Sequence, residues 1–164
     1  MKSVVYVEWV PVGKLMKALM GFFSFLILCI LLGTITLGVA VKHPFLIAIL
    51  APVLTFSLLL FWNYRGIRIL LNREKLLVNY GVFNHKAIPI INIESCRTVK
   101  ASFWRYGGVG VRLGTDGSCA YTTSFGDAVK VTRKKGKPFV FSSSNPHKIC
   151  EIISQMKRTT NHIA

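Results

Sequence analysis

The 164-residue chain carries a net charge of +15, from 21 lysines and arginines against only six acids. The acids are not paired at short spacing, and the four histidines show no metal-ligand spacing, which leaves little material for a two-carboxylate or metal-dependent mechanism. The sequence therefore predicts a protein that is not an enzyme, with no metal, no cofactor and no evident small-molecule substrate.

Residues 1–17 form a short lead-in to the first long apolar segment. The stretch SVVYVEW at residues 3–9 alternates weakly and is rich in residues that favour strands. It is typical either of a strand or of an interfacial segment with Trp9 and Pro11 near lipid headgroups. The sequence leaves open whether it adds a strand to a later domain.

Two uncharged stretches follow at residues 18–41 and 44–64, separated only by Lys42 and His43. At about 1.5 Å rise per helical residue, each can cross a hydrocarbon core of roughly 30 Å. A cleaved signal peptide is the alternative for the first stretch. That stretch is long for a signal peptide and a second span follows at once, so the sequence predicts a transmembrane helical hairpin over residues 18–64.

The lysines and arginines beside the spans predict their orientation. Lys2, Lys14 and Lys17 precede the first span, and several bases follow the second between residues 65 and 75, whereas the connecting turn offers only Lys42 and His43. By the positive-inside rule, both termini and the domain after the hairpin are expected in the cytoplasm, with the protein in the inner membrane.

Residues 65–157 change to short β-like runs separated by glycine-containing and polar turns, which predicts a mainly β domain. Asn145 and Pro146 are typical of a helix start, and an apolar face at helical spacing follows. Residues 158–164 form a basic tail. The fold class predicted is a membrane α-hairpin followed by a bent antiparallel sheet of about seven strands, capped by a C-terminal helix.

The four cysteines show no metal-binding or disulfide-framework spacing. Cys29 lies in the first span, where it is most simply a small apolar residue. No disulfide is therefore expected, in keeping with a reducing compartment.

Three stretches in this order carry a resemblance to a known family: IRILLNREKLLVNYGVFNHKAIPIINIESC, WRYGGVGVRL and DAVKVTRKKGKPFVFSSSNPHKICEII. Together with the preceding anchor, they resemble the prokaryotic pleckstrin-homology-like domains that are attached to a two-helix membrane hairpin. The resemblance covers roughly residues 65–157. It implies a strongly bent sheet of seven strands with a C-terminal helix across one end, and it brings no catalytic residue.

One departure concerns the first hairpin loop of that domain. Lipid-binding members in eukaryotes carry basic residues around a long loop, whereas here the loop spans only residues 72–75 and contains Glu74. This difference argues against a phosphoinositide pocket of that kind.

A compact run of bases at residues 133–137 is the first candidate contact site. Its members are Arg133, Lys134, Lys135 and Lys137. Such a tip could contact an anionic leaflet, since each base near its surface contributes on the order of 1 kcal/mol. It could equally be a solvated turn whose lysines prevent strands from aggregating.

An aromatic segment with nearby arginines is the second candidate, made of Phe103, Trp104, Arg105, Tyr106 and Arg112. Such rings are typical of an interfacial anchor at headgroup level. The alternative is that they fold back onto the sheet, with the arginines paired to acids such as Asp116 or Asp127.

These features favour a non-catalytic, membrane-tethered module that binds or assembles with a protein partner or with a second copy. An anionic-lipid-sensing domain that uses residues 133–137 and 103–106 is the alternative. Residues 65–164 carry 17 of the 21 lysines and arginines and five of the six acids, a net charge of +12. Nucleic acid is a less suitable partner for this charge, because the bases are spread over several strands without a groove-reading helix.

Overall fold

The computed structural model describes residues 4–102, 108–114 and 116–161. The chain divides into two compact units, a helical unit of residues 14–65 and a β unit that joins residues 1–13 to residues 66–164. The expected order of two long apolar helices, then sheets and a C-terminal helix is confirmed at this level. The pleckstrin-homology-like fold itself stays a prediction.

The helical unit contains α1 at Lys14–Thr36, a single turn α2 at Val39–Lys42, and α3 at Phe45–Asn63. Both long helices are apolar and long enough to cross a membrane, and almost none of their residues are buried inside the protein. Exposed apolar side chains on all sides are typical of helices whose surroundings are lipid. The two helices are therefore candidate membrane spans.

The first helix ends earlier than the sequence indicated. It stops at Thr36 instead of continuing to residue 41, because Gly38 adopts a left-handed conformation with φ of 68° and breaks the helix. Continuous apolar composition hides such a break, since hydropathy changes little across it. The second span, predicted at residues 44–64, agrees closely with α3.

A polar contact joins the two helices inside the hairpin. The hydroxyl oxygens of Ser24 on α1 and Ser57 on α3 lie 2.8 Å apart, and Ser24 is buried between the helices. Small hydroxyl side chains let helices approach closely and supply a hydrogen bond where water is absent. The hairpin is thus held by packing together with one side-chain hydrogen bond.

The first sheet of the β unit, sheet A, has the strand order β1-β2-β3-β4. Its strands are, in chain order, Val4–Pro11, Gly66–Asn72, Lys75–Tyr80 and Asn84–Pro89. The segment left open between strand and lead-in is therefore a strand, and it pairs antiparallel with β2 so that Pro11 lies opposite Gly66. The membrane hairpin is consequently an insertion between two paired strands.

Sheet B has the order β5-β8-β9-β7-β6. Its strands β5 to β9 are, in chain order, Ile93–Ala101, Gly110–Leu113, Cys119–Thr122, Gly126–Arg133 and Phe139–Ser142. The described residues thus form nine strands in two sheets, whereas about seven in one antiparallel sheet were predicted. The expectation of an all-antiparallel sheet was wrong, because β7 and β9 pair in parallel, while β8 pairs antiparallel with the other edge of β9.

The core of the β unit follows from the two-residue alternation of its strands. In β3, for example, Leu76, Val78 and Tyr80 are buried, while the residues between them are half-exposed. The C-terminal helix α4, Pro146–Asn161, adds Ile149 and Ile153 to this core. The helix continues past residue 157, where a basic tail was expected to begin, and residues 162–164 lie outside the described residues.

A buried carboxylate fastens β1 to the far end of the chain. Glu8 is only 8% exposed, and it accepts hydrogen bonds from the hydroxyl of Ser143 at 2.9 Å and from the backbone N–H of Ser144 at 2.6 Å. The hydroxyl of Tyr6 donates to the same carboxylate at 3.0 Å. Glu8 therefore links the strand before the hairpin to the loop that leads into α4.

A disulfide joins Cys96 on β5 to Cys150 on α4, which corrects the expectation that no disulfide would form. The two residues are 54 positions apart, so no local cysteine spacing predicts the disulfide. The packing of α4 on β5 brings their Cα atoms to 5.3 Å, within the range that a disulfide requires. Cys29 and Cys119 are free cysteines.

Replacing Glu8 by alanine is expected to lower the free energy of unfolding by about 2–3 kcal/mol, because buried donors lose a charged acceptor. Glu8→Gln keeps one acceptor oxygen and should cost less. Thermal unfolding of the full chain in detergent measures both, with Glu94→Ala as a control on an exposed side chain. Equal effects of Glu8→Ala and Glu94→Ala would contradict the anchoring role of Glu8.

Breaking the disulfide in the oxidised protein is expected to lower the free energy of unfolding by about 4 kcal/mol, the chain-entropy value for a loop of this length. Cys96→Ser, or the wild-type chain under reductant, should therefore melt at a lower temperature than the oxidised chain. Cys119→Ser is the control, since that thiol is unpaired in the structure. A melting temperature unaffected by reductant would show that the bridge adds no stability.

Candidate binding surfaces of the β unit

The predicted basic tip lies on the turn between β8 and β9. The guanidinium of Arg133 folds over this turn and donates two hydrogen bonds to the backbone carbonyl of Lys137, at 2.8 and 2.6 Å. Gly136 has φ of 96°, a conformation that suits glycine, and an added Cβ there would lie 3.0 Å from the guanidinium. The turn is thus closed by Arg133 itself.

This geometry divides the predicted cluster into two roles. Lys134, Lys135 and Lys137 are exposed and can contact an anionic partner, whereas Arg133 is half-buried and occupied by the turn. The backbone N–H of Lys134 also donates to the carbonyl of Asn92 at 2.9 Å, which fixes the base of the tip. The sequence located this tip, but the arginine that closes it could be identified only from the turn geometry.

The aromatic part of the second candidate, Phe103, Trp104, Arg105 and Tyr106, lies outside the described residues. Arg112 is described and is exposed on β6. β6 and β8 are separated by two strands in sheet B, about 14 Å at the usual strand spacing. The structure therefore does not combine Arg112 with the basic tip into one site.

Strand β6 forms one edge of sheet B, and among the described residues it pairs only with β7. Beside Arg112, it exposes the apolar side chains of Val111 and Leu113, the latter to 70%. The N–H of Gly114 points toward β7, where it donates to the carbonyl of Ser118 at 2.7 Å. Because amide directions alternate along a strand, the N–H groups of Val111 and Leu113 point away from the sheet.

An ion pair lies beside this edge. Asp116 accepts from the ammonium of Lys130 at 2.7 Å and from the backbone N–H of Ser118 at 3.1 Å. The ammonium of Lys130, followed by the hydroxyl of Ser118, holds the pKa of the Asp116 carboxyl well below its usual range. Asp116, which the sequence offered as one possible partner of an arginine, is thus paired with Lys130 of β8.

A pocket of about 550 Å³ lies between the end of β5 and the start of α4. Lys100, His147 and Lys148 line it together with Asp127, so both signs of charge face the space. The sequence indicated the helix start at Asn145 but not the pocket. The pocket forms only because folding brings the end of β5 next to the start of α4, and these segments are distant in sequence.

Within the described residues, no three His, Cys, Asp or Glu side chains lie close enough to hold a metal ion. No family model, curated protein or solved structure matches the chain. The proposed function therefore rests on the geometry of the described surfaces.

The Asp116–Lys130 pair gives the β unit a pH-dependent contribution to stability. Because the pKa of Asp116 is lowered in the folded state, its contribution is present above the unfolded pKa of about 3.9 and is lost as the pH falls further toward the folded value. Asp116→Asn should thus cost about 1 kcal/mol or less at neutral pH, as for a solvent-accessible pair. The cost should begin to shrink below about pH 4 and should be lost only as the pH falls well below that value.

The difference in melting temperature between Asp116→Asn and the wild type, measured from neutral pH to well below pH 4, tests this effect. Asp127→Asn is the control, since Asp127 is exposed. A difference that persists unchanged in acid would contradict the ionic origin of the effect.

Proposed function

We propose that this chain is a non-catalytic, membrane-tethered binding module. Its pleckstrin-homology-like β unit binds a protein partner, or a second copy of the chain, at the cytoplasmic face of the membrane. The two candidate spans supply the tether, and both connections to the β unit leave from the same paired residues, Pro11 and Gly66. A partner held by this unit is consequently held close to the bilayer.

The observation that carries the proposal is the edge of sheet B at β6. An edge with outward N–H groups, flanked by exposed apolar side chains, is suited to strand addition by an extended peptide. Arg112 lies between Val111 and Leu113 and favours a peptide with acidic side chains. Main-chain pairing supplies affinity in this mode, and the side chains supply selectivity.

The cytoplasmic orientation rests on charge. Lys14 and Lys17 lie in the first turn of α1 and four bases lie in residues 65–75, whereas Lys42 is the one lysine or arginine between the two long helices. The Cys96–Cys150 bridge is the kind of bond that persists in oxidising compartments. We base the proposed side on the lysine and arginine bias, because that bias sets the orientation of membrane spans.

A second candidate function is recognition of the anionic leaflet by the basic tip, in concert with residues 103–106. The observation in its favour is the exposure of Lys134, Lys135 and Lys137 on a turn that Arg133 holds closed. Three such lysines could add on the order of 3 kcal/mol near an anionic surface, an attraction that salt would screen.

Cross-linking of the tagged full chain in its native membranes, followed by purification, tests the first proposal. Val111→Pro removes an outward N–H without removing a hydrogen bond to β7, so it is expected to abolish most partner capture while preserving the melting temperature. Val111→Ala is the matched control, since it shortens the side chain but keeps the N–H. Retention of the same partners by Val111→Pro would overturn strand addition at β6.

Charge reversal at the tip separates the two candidate functions. If the module assembles through β6, Lys134→Glu combined with Lys135→Glu leaves the captured partners intact. If this variant loses the partners while Val111→Pro still captures them, the tip is favoured as the contact surface.

A further inference from the structure

One end of sheet A is the end to which both membrane helices are tethered. Residues 12–13 connect β1 to α1, and residues 64–65 connect α3 to β2. The register continues across the sheet, with Ile67 opposite Tyr80 and Tyr80 opposite Asn84. The turn between β3 and β4 therefore lies at this same end, which we call the attachment end.

The turn at the attachment end exposes two large apolar side chains in succession. Gly81, with φ of 69°, allows the tight reversal, and Val82 and Phe83 follow with 55% and 81% of their surfaces exposed. Turns at a protein–water surface are usually polar, and a contiguous exposed apolar patch is typical of an interaction surface. The turn is therefore a candidate contact surface.

Trp9 belongs to the same end of the sheet. Its indole lies over Gly66 so closely that a Cβ there would meet the ring at 2.6 Å, yet 49% of the Trp9 surface remains exposed. Arg68, directly opposite Trp9 on β2, is exposed beside it. The attachment end thus carries two exposed aromatic side chains, Trp9 and Phe83, and a cation, Arg68.

The charge at this end selects among possible occupants. The segments that form it, residues 9–13, 64–68 and 80–85, contain no acid and include two arginines. Docking of a second copy through this surface would place like charges together, which disfavours self-association. An anionic lipid headgroup layer offers the complementary charge, and Trp and basic residues next to spans are typical of that layer.

We propose that the attachment end, formed by Trp9, Arg68, Val82 and Phe83, is a membrane-contact surface that binds the headgroup layer of an anionic leaflet. The contact does not depend on a partner at β6, because it shares no residue with that edge. It also differs from the basic tip, which lies on sheet B.

Fluorescence quenching of the full chain in vesicles tests this contact. Phe83→Cys carries an NBD label in a background where the two free cysteines, Cys29 and Cys119, are serine. Leu113→Cys with the same label is the matched control, since Leu113 is also a highly exposed apolar side chain of the β unit. In vesicles of phosphatidylcholine and phosphatidylglycerol, headgroup-level nitroxide lipid should quench the label at 83 much more than at 113.

Substitutions of Arg68 distinguish binding to anionic lipid from simple proximity of the β unit to the bilayer. Arg68→Glu should reduce the quenched fraction at position 83 about fivefold or more, whereas Arg68→Lys should leave it unchanged. Equal quenching at 83 and 113 would overturn the proposal, as would quenching that is the same in phosphatidylcholine alone and insensitive to Arg68→Glu. Partner capture through β6 is measured separately, so failure here leaves that proposal standing.

Discussion

The carboxylate of Glu8 accepts hydrogen bonds from Ser143 and Ser144, residues 135 and 136 positions further along the chain. This contact, with the pairing of β1 and β2, makes the strand before the membrane hairpin an integral part of the β unit. A piece beginning at residue 65 would lack β1, and it would expose one edge of β2 and the donors of Ser143 and Ser144. The β unit of this protein is therefore discontinuous in sequence, and the helical hairpin occupies the gap.

Properties that are local in sequence could be predicted, whereas those that depend on tertiary pairing could not. Length and absence of charge were enough to find the two spans, and the Asn145-Pro146 pair was enough to find the start of α4. The break at Gly38 was hidden by uniform hydropathy. The Cys96–Cys150 bridge and the parallel pairing of β7 with β9 join segments whose proximity no local pattern encodes.

The same distinction applies to the candidate surfaces. The run of bases around Gly136 at residues 133–137 was sufficient to place a basic tip on a hairpin, because glycine favours a turn there. It could not show that Arg133 is occupied by the carbonyl of Lys137, which depends on how the turn closes. Nor could hydropathy single out Phe83, whose exposure follows from its place on a turn and not from its neighbours in sequence.

The three surfaces of the β unit use different residues, and this separation bears on how the module could work. Residues 133–137 lie between β8 and β9, Val111 and Leu113 lie on the β6 edge, and Trp9 and Phe83 lie at the attachment end of sheet A. Lipid binding at the attachment end would occupy no hydrogen-bonding group of β6, so lipid and peptide could be bound together. Because the lipid contact would restrict the motion of the tethered unit, it would also lower the entropy cost of binding a partner at β6. The two contacts are therefore expected to reinforce each other, with membrane contact orienting an edge that the partner then extends.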